Sequence, residues 1–212
     1  MPNLPISHDP PLLACALLIA GFACYVALDA VLRMRDPDKR LQVRWWITGA
    51  VAMGTGLWAA NFTALLAFSL PIALGYQIGF TALSWAAAVA ASAIALFVAS
   101  FDQLAWPRLW TGALAVGLGL AAMHYLGLAA LALAPAIAWN WQVVIASVVV
   151  AICASATVLE AFFLVRKARR SQGYLCACAA VMGGAVAALH AIGMAGASFH
   201  KDTFCLSEGG LS

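Results

Sequence analysis

The chain has 212 residues, of which 65% are hydrophobic and 9% are charged, and its mean hydropathy is +0.97 with a formal net charge of +3. Soluble domains carry roughly 25% charged residues, so this composition excludes a soluble globular protein and makes lipid the main solvent. The sequence contains no basic stripe typical of nucleic-acid binding. It also lacks the phosphate loop, nucleophile triad or paired carboxylates that would indicate an enzyme.

Six apolar segments are each long enough to cross a bilayer as a helix, which takes about 20 residues. They predict helices at about 12–32, 45–70, 78–100, 109–133, 143–165 and 174–199. Residues 1–11 precede them as a short N-terminal segment, and residues 200–212 follow as a polar tail. We therefore predict an all-α polytopic membrane protein with six transmembrane helices and no separate soluble domain.

The basic residues predict the orientation of these helices. Ten of the eleven Lys and Arg residues lie in or beside the first, third and fifth connections, whereas residues 71–77 and 134–142 contain none. Cytoplasmic loops hold the Lys and Arg excess of membrane proteins. The N-terminus and the polar tail are therefore predicted to lie outside.

Helices two, four and six share a repeated pattern, centred on Asn61, His124 and His190 at spacings of 63 and 66 residues. Glycine recurs seven positions before each centre, alanine two before, and a small residue three after. Small residues at such spacing let helix backbones approach closely in lipid. The pattern predicts three tandem copies of a two-helix repeat.

The three centres are candidate functional residues, because polar and ionisable groups inside a membrane are costly and usually functional. Each lies about 9 residues before the outer end of its predicted helix, or roughly 12–15 Å below the surface. Met194 is four residues after His190 on the same helix face, and Met123 adjoins His124. Imidazole suits copper and the thioether of methionine favours Cu(I), so these residues are candidate copper ligands. The alternative is packing, with each histidine hydrogen-bonded within the bundle and each methionine filling a gap in the core.

These segments resemble the repeated Met-His-Tyr-Thr motif of the bacterial MHYT domain. The resemblance is carried by residues 123–128 (Met-His-Tyr-Leu-Gly-Leu), 189–194 (Leu-His-Ala-Ile-Gly-Met) and 54–68, and it covers nearly the whole chain. The first copy departs from the motif at Ala60, Asn61 and Leu65, and the others depart at Leu128 and Leu189. Asn61 is a poor copper ligand that could instead hydrogen-bond an imidazole or a bound gas.

The resemblance implies that residues 12–199 are a sensor domain of the bacterial inner membrane, with a periplasmic N-terminus and a periplasmic tail. It implies copper held by His124, His190, Met123 and Met194, with Asn61 and Tyr125 as ligand-binding or supporting residues. The expected signal is a diatomic gas (O2, CO or NO) or a redox change, passed to a cytoplasmic output domain or partner protein. Homo-oligomerisation is left open, as is a missing seventh helix.

Two other functions fit the same residues. The first is a module that binds or transports copper or haem, because two histidines can ligate a haem iron. The second is a structural subunit of a membrane complex whose site has decayed, which the missing donors of the first copy favour.

Overall fold

The computed structural model describes residues 7–72, 74–101, 103, 105–167 and 172–206. The described residues form six long helices, all apolar enough to cross a membrane, which confirms the predicted fold class. The helices are α1 Pro10–Arg33, α2 Lys39–Leu66, α3 Ile78–Ala99, α4 Trp106–Ala129, α5 Trp141–Lys167 and α6 Gln172–Ala195.

Local sequence sets the start of several helices. Asp9 caps α1 by accepting a hydrogen bond from the backbone N–H of Leu12, and Asp38 caps α2 through Arg40. A proline stands in the first turn of α1 and of α4, where its missing N–H costs nothing. The helices therefore begin at short polar or proline-containing segments outside the apolar runs.

The six helices form a closed ring. Each odd helix packs against the even helix that follows it, α2 and α4 also pack against α3 and α5, and α6 returns to pack against α1. The glycine seven positions before each motif centre lies where an even helix meets the odd helix of the next repeat. A Cβ on Gly54 would lie 2.5 Å from the Cα of Val89, and one on Gly117 would lie 2.7 Å from that of Ile152. A Cβ on Gly183 would lie 2.8 Å from the backbone nitrogen of Gly21 in α1. The three predicted repeats therefore form a pseudo-threefold ring, and a glycine lets the helices approach closely at each contact between repeats.

The outer face of the ring is apolar. Large side chains such as Leu18, Phe22, Ile145 and Val181 are more than half exposed and point away from the neighbouring helices. In water this exposed apolar surface would favour aggregation, whereas in a bilayer it contacts the lipid chains. The chain is therefore a multi-pass membrane protein.

The even helices end earlier than the sequence predicted. They stop at residues 66, 129 and 195 rather than at 70, 133 and 199, a difference of four residues in each repeat. The apolar residues that follow, such as Phe68, Leu131 and Phe199, are buried in a cluster over the end of the bundle. Hydropathy alone could not distinguish these residues from a membrane-spanning helix.

Short antiparallel strand pairs close this end of the ring. The strands are β1 Ser7–His8, β2 Phe68–Ser69, β3 Leu133–Ala134, β4 Ala138–Trp139, β5 Ala197–Ser198 and β6 Phe204–Cys205. They pair as β1–β2, β3–β6 and β4–β5. One backbone hydrogen bond recurs in every repeat, from the residue before the odd helix to the residue six after the motif centre. The three bonds are Asp9 to Ala67 at 2.9 Å, Gln77 to Ala130 at 2.8 Å and Asn140 to Gly196 at 2.9 Å.

Part of the polar tail also belongs to this end. We predicted residues 200–212 as a polar tail, but Thr203 and Cys205 are buried. Strand β6 in this segment pairs with β3. The Cys205 thiol donates a hydrogen bond to the Leu131 carbonyl at 3.0 Å. Residues 207–212 lie outside the described residues.

Candidate metal centre

The three motif centres lie at one level of the ring. Asn61, His124 and His190 each stand five residues before the C-terminal end of their helix, so their Cα atoms are about 7–8 Å below the helix ends. The sequence predicted about 9 residues from each centre to the helix end, and the structure has five because the helices are shorter. All three are buried, with His124 completely so. We call these three residues the imidazole layer.

One amide oxygen joins the imidazole layer. The Oδ1 atom of Asn61 lies 3.0 Å from Nδ1 of His124 and 3.2 Å from Nδ1 of His190. A carbonyl oxygen has two lone pairs and no proton, so both imidazoles must donate their Nδ1–H to it. Both neutral rings are therefore held in the tautomer whose Nε2 atom carries a free lone pair.

The two imidazole rings are in edge contact with each other. The ring centroids are 5.1 Å apart and the planes meet at 83°. Nε2 of His124 is buried and has no hydrogen-bond partner. It faces Gly193, one turn after His190, and a Cβ at that position would overlap the imidazole nitrogen. The imidazole of His124 therefore fills the space that the missing Cβ leaves at Gly193, and a metal ion on this Nε2 would require His124 or α6 to shift.

This arrangement matches the usual support of metal-binding histidines, in which the nitrogen that does not ligate donates to a carbonyl or carboxylate. Asn61 performs that role for two histidines at once. The position where the first copy departs from the motif therefore supplies an orienting acceptor.

The two predicted methionine ligands lie on either side of the layer. Met123 is buried in the large central cluster of the bundle. Met194 is buried in the outer cluster, together with Leu65 and Leu128 at the equivalent positions of the other repeats. The structure thus places one thioether with each of the two apolar clusters that flank the imidazoles.

Tyr125 supports His124 from the side. Its ring meets the His124 imidazole edge-on, with centroids 5.0 Å apart, and packs against Trp139 at 5.3 Å. Its hydroxyl lies 2.6 Å from Oγ of Ser147, which itself donates to the Val144 carbonyl. Tyr125 is therefore the donor in the first bond. The sequence analysis did not identify Ser147, because it belongs to no recognisable motif.

The outer cluster covers the imidazole layer. Phe68 and Phe199 are in contact with ring centroids 5.1 Å apart, and His8 of β1 meets Phe68 edge-on at 6.1 Å. The cover excludes bulk water, while His8 stands at its exposed side.

The donor types near the imidazole layer bear on which metal ion would suit it. Within the described ranges, no three His, Cys, Asp or Glu side chains gather into a metal-binding group. A metal ion here would be held by neutral imidazoles and thioethers, a donor set that suits soft monovalent copper better than hard divalent ions.

The sequence matches a known family of repeats. The model of a bacterial signalling protein N-terminal repeat, MHYT, matches residues 54–112 and 117–175. Each matched range begins at the glycine seven positions before a motif centre. The third copy, from Gly183 onward, lies outside the matched ranges but repeats the same contact in the structure. No solved structure matches the chain.

Several curated proteins are similar to the chain, among them the following three. It is 42% identical over 204 residues to MucR, a bifunctional diguanylate cyclase/cyclic di-GMP phosphodiesterase of Pseudomonas aeruginosa, and the match covers 96% of this chain and 30% of MucR. It is 38% identical to NbdA, a cyclic di-GMP phosphodiesterase of the same organism, over 89% of this chain and 24% of NbdA. It is 28% identical to the signaling protein YkoW of Bacillus subtilis, over 94% of this chain and 25% of YkoW.

The chain thus spans less than a third of the length of these relatives, and the activities in their names belong to the longer proteins. What it shares with them is sequence similarity over most of its own length. Because the family model covers more than half of the chain in two tandem copies, the protein belongs to the MHYT family of bacterial signalling repeats.

Proposed function

We propose that the chain is a membrane sensor module that holds a copper ion through Nε2 of His124 and His190. One observation carries the proposal: a single Asn61 oxygen fixes both imidazoles in the tautomer that leaves Nε2 free, and one of these atoms has no partner. A buried acceptor without a partner costs free energy, so a ligand that uses its lone pair would stabilise the folded bundle.

The surrounding residues suit that ion. Met123 and Met194 are the thioethers nearest to the two histidines in sequence, and they complete the proposed ligand set. Copper would supply a centre that changes redox state and ligates O2, CO or NO. The chain's own contribution is to orient the imidazoles through Asn61, to brace His124 with Tyr125 and to exclude water with the outer cluster.

The position of the site explains how a change there could reach the far end of the bundle. The three residues of the imidazole layer come from α2, α4 and α6, one from each repeat. A shift of either imidazole therefore acts on helices from all three repeats. For signalling, the two ligation states must favour different packings of the ring, since equal binding to both would shift nothing.

Orientation and partners follow from charge and from the relatives. The Lys and Arg excess of the odd-numbered connections supports a cytoplasmic placement of those connections in the bacterial inner membrane, with the imidazole layer near the periplasmic face. MucR and NbdA are named for cyclic di-GMP enzymes, which supports a cytoplasmic output of that class, fused to this module or associated with it. The output would receive the signal at the end opposite to the imidazole layer.

The spacing of the imidazoles supports a metal ion over haem. With centroids 5.1 Å apart and in edge contact, the two rings leave no slot between them for a macrocycle. Haem held by both histidines would require them to separate on opposite sides of the porphyrin.

The test is copper analysis with an absorption spectrum on detergent-purified protein. Wild type, the His124→Ala/His190→Ala double variant and His200→Ala are reconstituted with Cu(I) under anaerobic conditions and passed over a desalting column. His200→Ala is the matched control, because that histidine lies on the partly exposed tail and pairs with Asp202.

We expect near-stoichiometric copper at the imidazole layer in wild type and in His200→Ala, its loss in the double variant, and no Soret band. Protein that folds but cannot be loaded at this layer would overturn the proposal, and the chain would then be a packing subunit held together by the Asn61 hydrogen bonds. A Soret band lost in the double variant would assign haem instead.

A further inference from the structure

A small cavity lies at the centre of the ring, below the imidazole layer. Its volume is about 20 Å³, room for one atom or molecule the size of water. All six helices contribute to its lining. Met53 and Met182 stand eight residues before Asn61 and His190. The cavity is therefore about 12 Å from the imidazole layer, toward the N-terminal ends of α2 and α6.

The lining follows the repeat. Cys24 of α1, Ser92 of α3 and Ser155 of α5 are separated by 68 and 63 residues, the same spacings that separate the three outer hydrogen-bond donors Asp9, Gln77 and Asn140. The even helices contribute a second set of equivalent positions to the lining, which are Met53, Val116 and Met182. The cavity is thus surrounded by two rings of equivalent positions.

Sulfur is concentrated on one side of this cavity. Met182, Cys24 and Met53 lie on α6, α1 and α2, which are consecutive helices in the closed ring. All three are at most 4% exposed. The structure therefore brings two thioethers and a thiol from neighbouring helices to one space of atomic size.

The opposite side carries two hydroxyl groups without partners. Oγ of Ser92 and Oγ of Ser155 are buried and make no hydrogen bond, and both residues line the cavity. Buried polar atoms without partners are unusual in folded proteins and mark a place that a water or a ligand would satisfy. The accessible wall of the cavity is apolar, so the two hydroxyls lie behind it and the sulfur atoms are the candidate ligands.

We propose that Cys24, Met53 and Met182 form a second metal site, selective for a soft monovalent ion of the Cu(I) class. Thioether and thiolate sulfur select Cu(I), and three donors on consecutive helices suit its low coordination number. Binding replaces the thiol proton of Cys24 by the metal and releases that proton to solvent. The resulting thiolate–Cu(I) unit is neutral, whereas a divalent ion would leave a net charge in the apolar interior. We name Cys24, Met53, Met182, Ser92 and Ser155 the sulfur layer.

This site uses none of the residues of the imidazole layer, so it extends beyond the proposed function. The test counts ions and identifies their ligands. Purified protein is loaded with Cu(I) anaerobically in the presence of a Cu(I) chelator that strips exposed thiols. Bound copper is then measured by elemental analysis and its ligands by X-ray absorption.

The variants are conservative, so that folding is kept. In Cys24→Ser/Met53→Leu/Met182→Leu, the serine is the residue that the other two repeats already hold at this level, and each leucine keeps nearly the volume of methionine. Cys153→Ser/Met34→Leu is the matched control, since Cys153 is exposed on α5 and Met34 lies at the inner end of α1.

We expect two Cu(I) ions in wild type and in the control, and one in the triple variant. The ion retained by His124→Ala/His190→Ala should have a shell of sulfur alone. A wild type that binds a single ion, lost with the histidines, overturns the sulfur site and leaves the proposed function intact. A second ion that survives in the triple variant, or is lost in the control, also overturns it, and protein that binds no copper overturns both proposals.

Discussion

The imidazole layer and the sulfur layer are both built from equivalent positions of the three repeats, but they treat their polar groups differently. In the imidazole layer one Asn61 oxygen satisfies two imidazole donors and fixes their tautomer. In the sulfur layer two serine hydroxyls have no partner, and a cavity separates them from the sulfur atoms. The first layer is therefore organised by the protein itself, whereas the second depends on what enters it. Substitutions in the two layers should differ accordingly.

The largest effect is expected from Gly193→Ala. A Cβ at this position would overlap Nε2 of His124, so either the imidazole or α6 must move. Overpacking of this kind costs about 1–3 kcal/mol, and we expect a value near the top of that range together with loss of copper from the imidazole layer. The check is unfolding in a mild detergent with copper analysis. Gly184→Ala is the control, because a Cβ there meets open space, and equal effects of the two changes would contradict this account.

Asn61→Leu should break the organisation of the imidazole layer without adding bulk at Gly193. It removes the shared acceptor of two buried N–H groups, and hydrogen bonds within membranes contribute about 0.6–1.7 kcal/mol each. We expect destabilisation of about 2 kcal/mol and a fall in copper affinity of about 10–100-fold, the usual cost of losing a partner of the ligating histidines. Thr157→Leu on the lipid face serves as the control. Unchanged affinity in Asn61→Leu would show that the amide does not orient the imidazoles.

Tyr125→Phe tests the brace of His124. The ring contact with the imidazole remains, and only the bond to Ser147 is lost, so we expect a loss of about 0.5–1 kcal/mol. Copper stoichiometry should not change. Loss of copper from this variant would instead place the tyrosine hydroxyl among the ligating groups.

Ser92→Ala should have the smallest effect and the opposite tendency. Its hydroxyl is buried without a partner, so its removal in metal-free protein should leave the free energy of unfolding within about 0.5 kcal/mol of wild type or raise it. Clear destabilisation would mean that an ordered water satisfies the hydroxyl. The polar groups of the sulfur layer would then have hydrogen-bond partners, as those bonded to Asn61 do in the imidazole layer.

The sequence predicted the ring better than its ends. Six apolar runs and the gapless pattern around Asn61, His124 and His190 were sufficient to predict the six helices and the common level of the three residues. The helix ends were wrong by four residues because Phe68 and Phe199 have the hydropathy of a membrane span but cover the bundle. An apolar side chain has the same hydropathy in both roles.

The chemistry of the site could be predicted only in part. The sequence indicated the two histidines and allowed Asn61 to bond an imidazole, but the sharing of one oxygen by two rings depends on the closure of the ring. The sulfur layer was missed, because a cysteine and two serines in apolar runs carry no motif. Their spacings of 68 and 63 residues were the available signal. It becomes informative only once the odd helices are aligned through the outer hydrogen bonds.

The most direct test of the central claim is nitrogen NMR of protein labelled with ¹⁵N-histidine, in detergent, before and after addition of diamagnetic Cu(I). The signals of His124 and His190 are assigned by their loss in single alanine variants. We expect both rings to be protonated at Nδ1 before addition, and their Nε2 signals alone to shift upon addition while those of His200 stay in place. Rings protonated at Nε2, or Nε2 signals that do not respond to copper, would contradict the account.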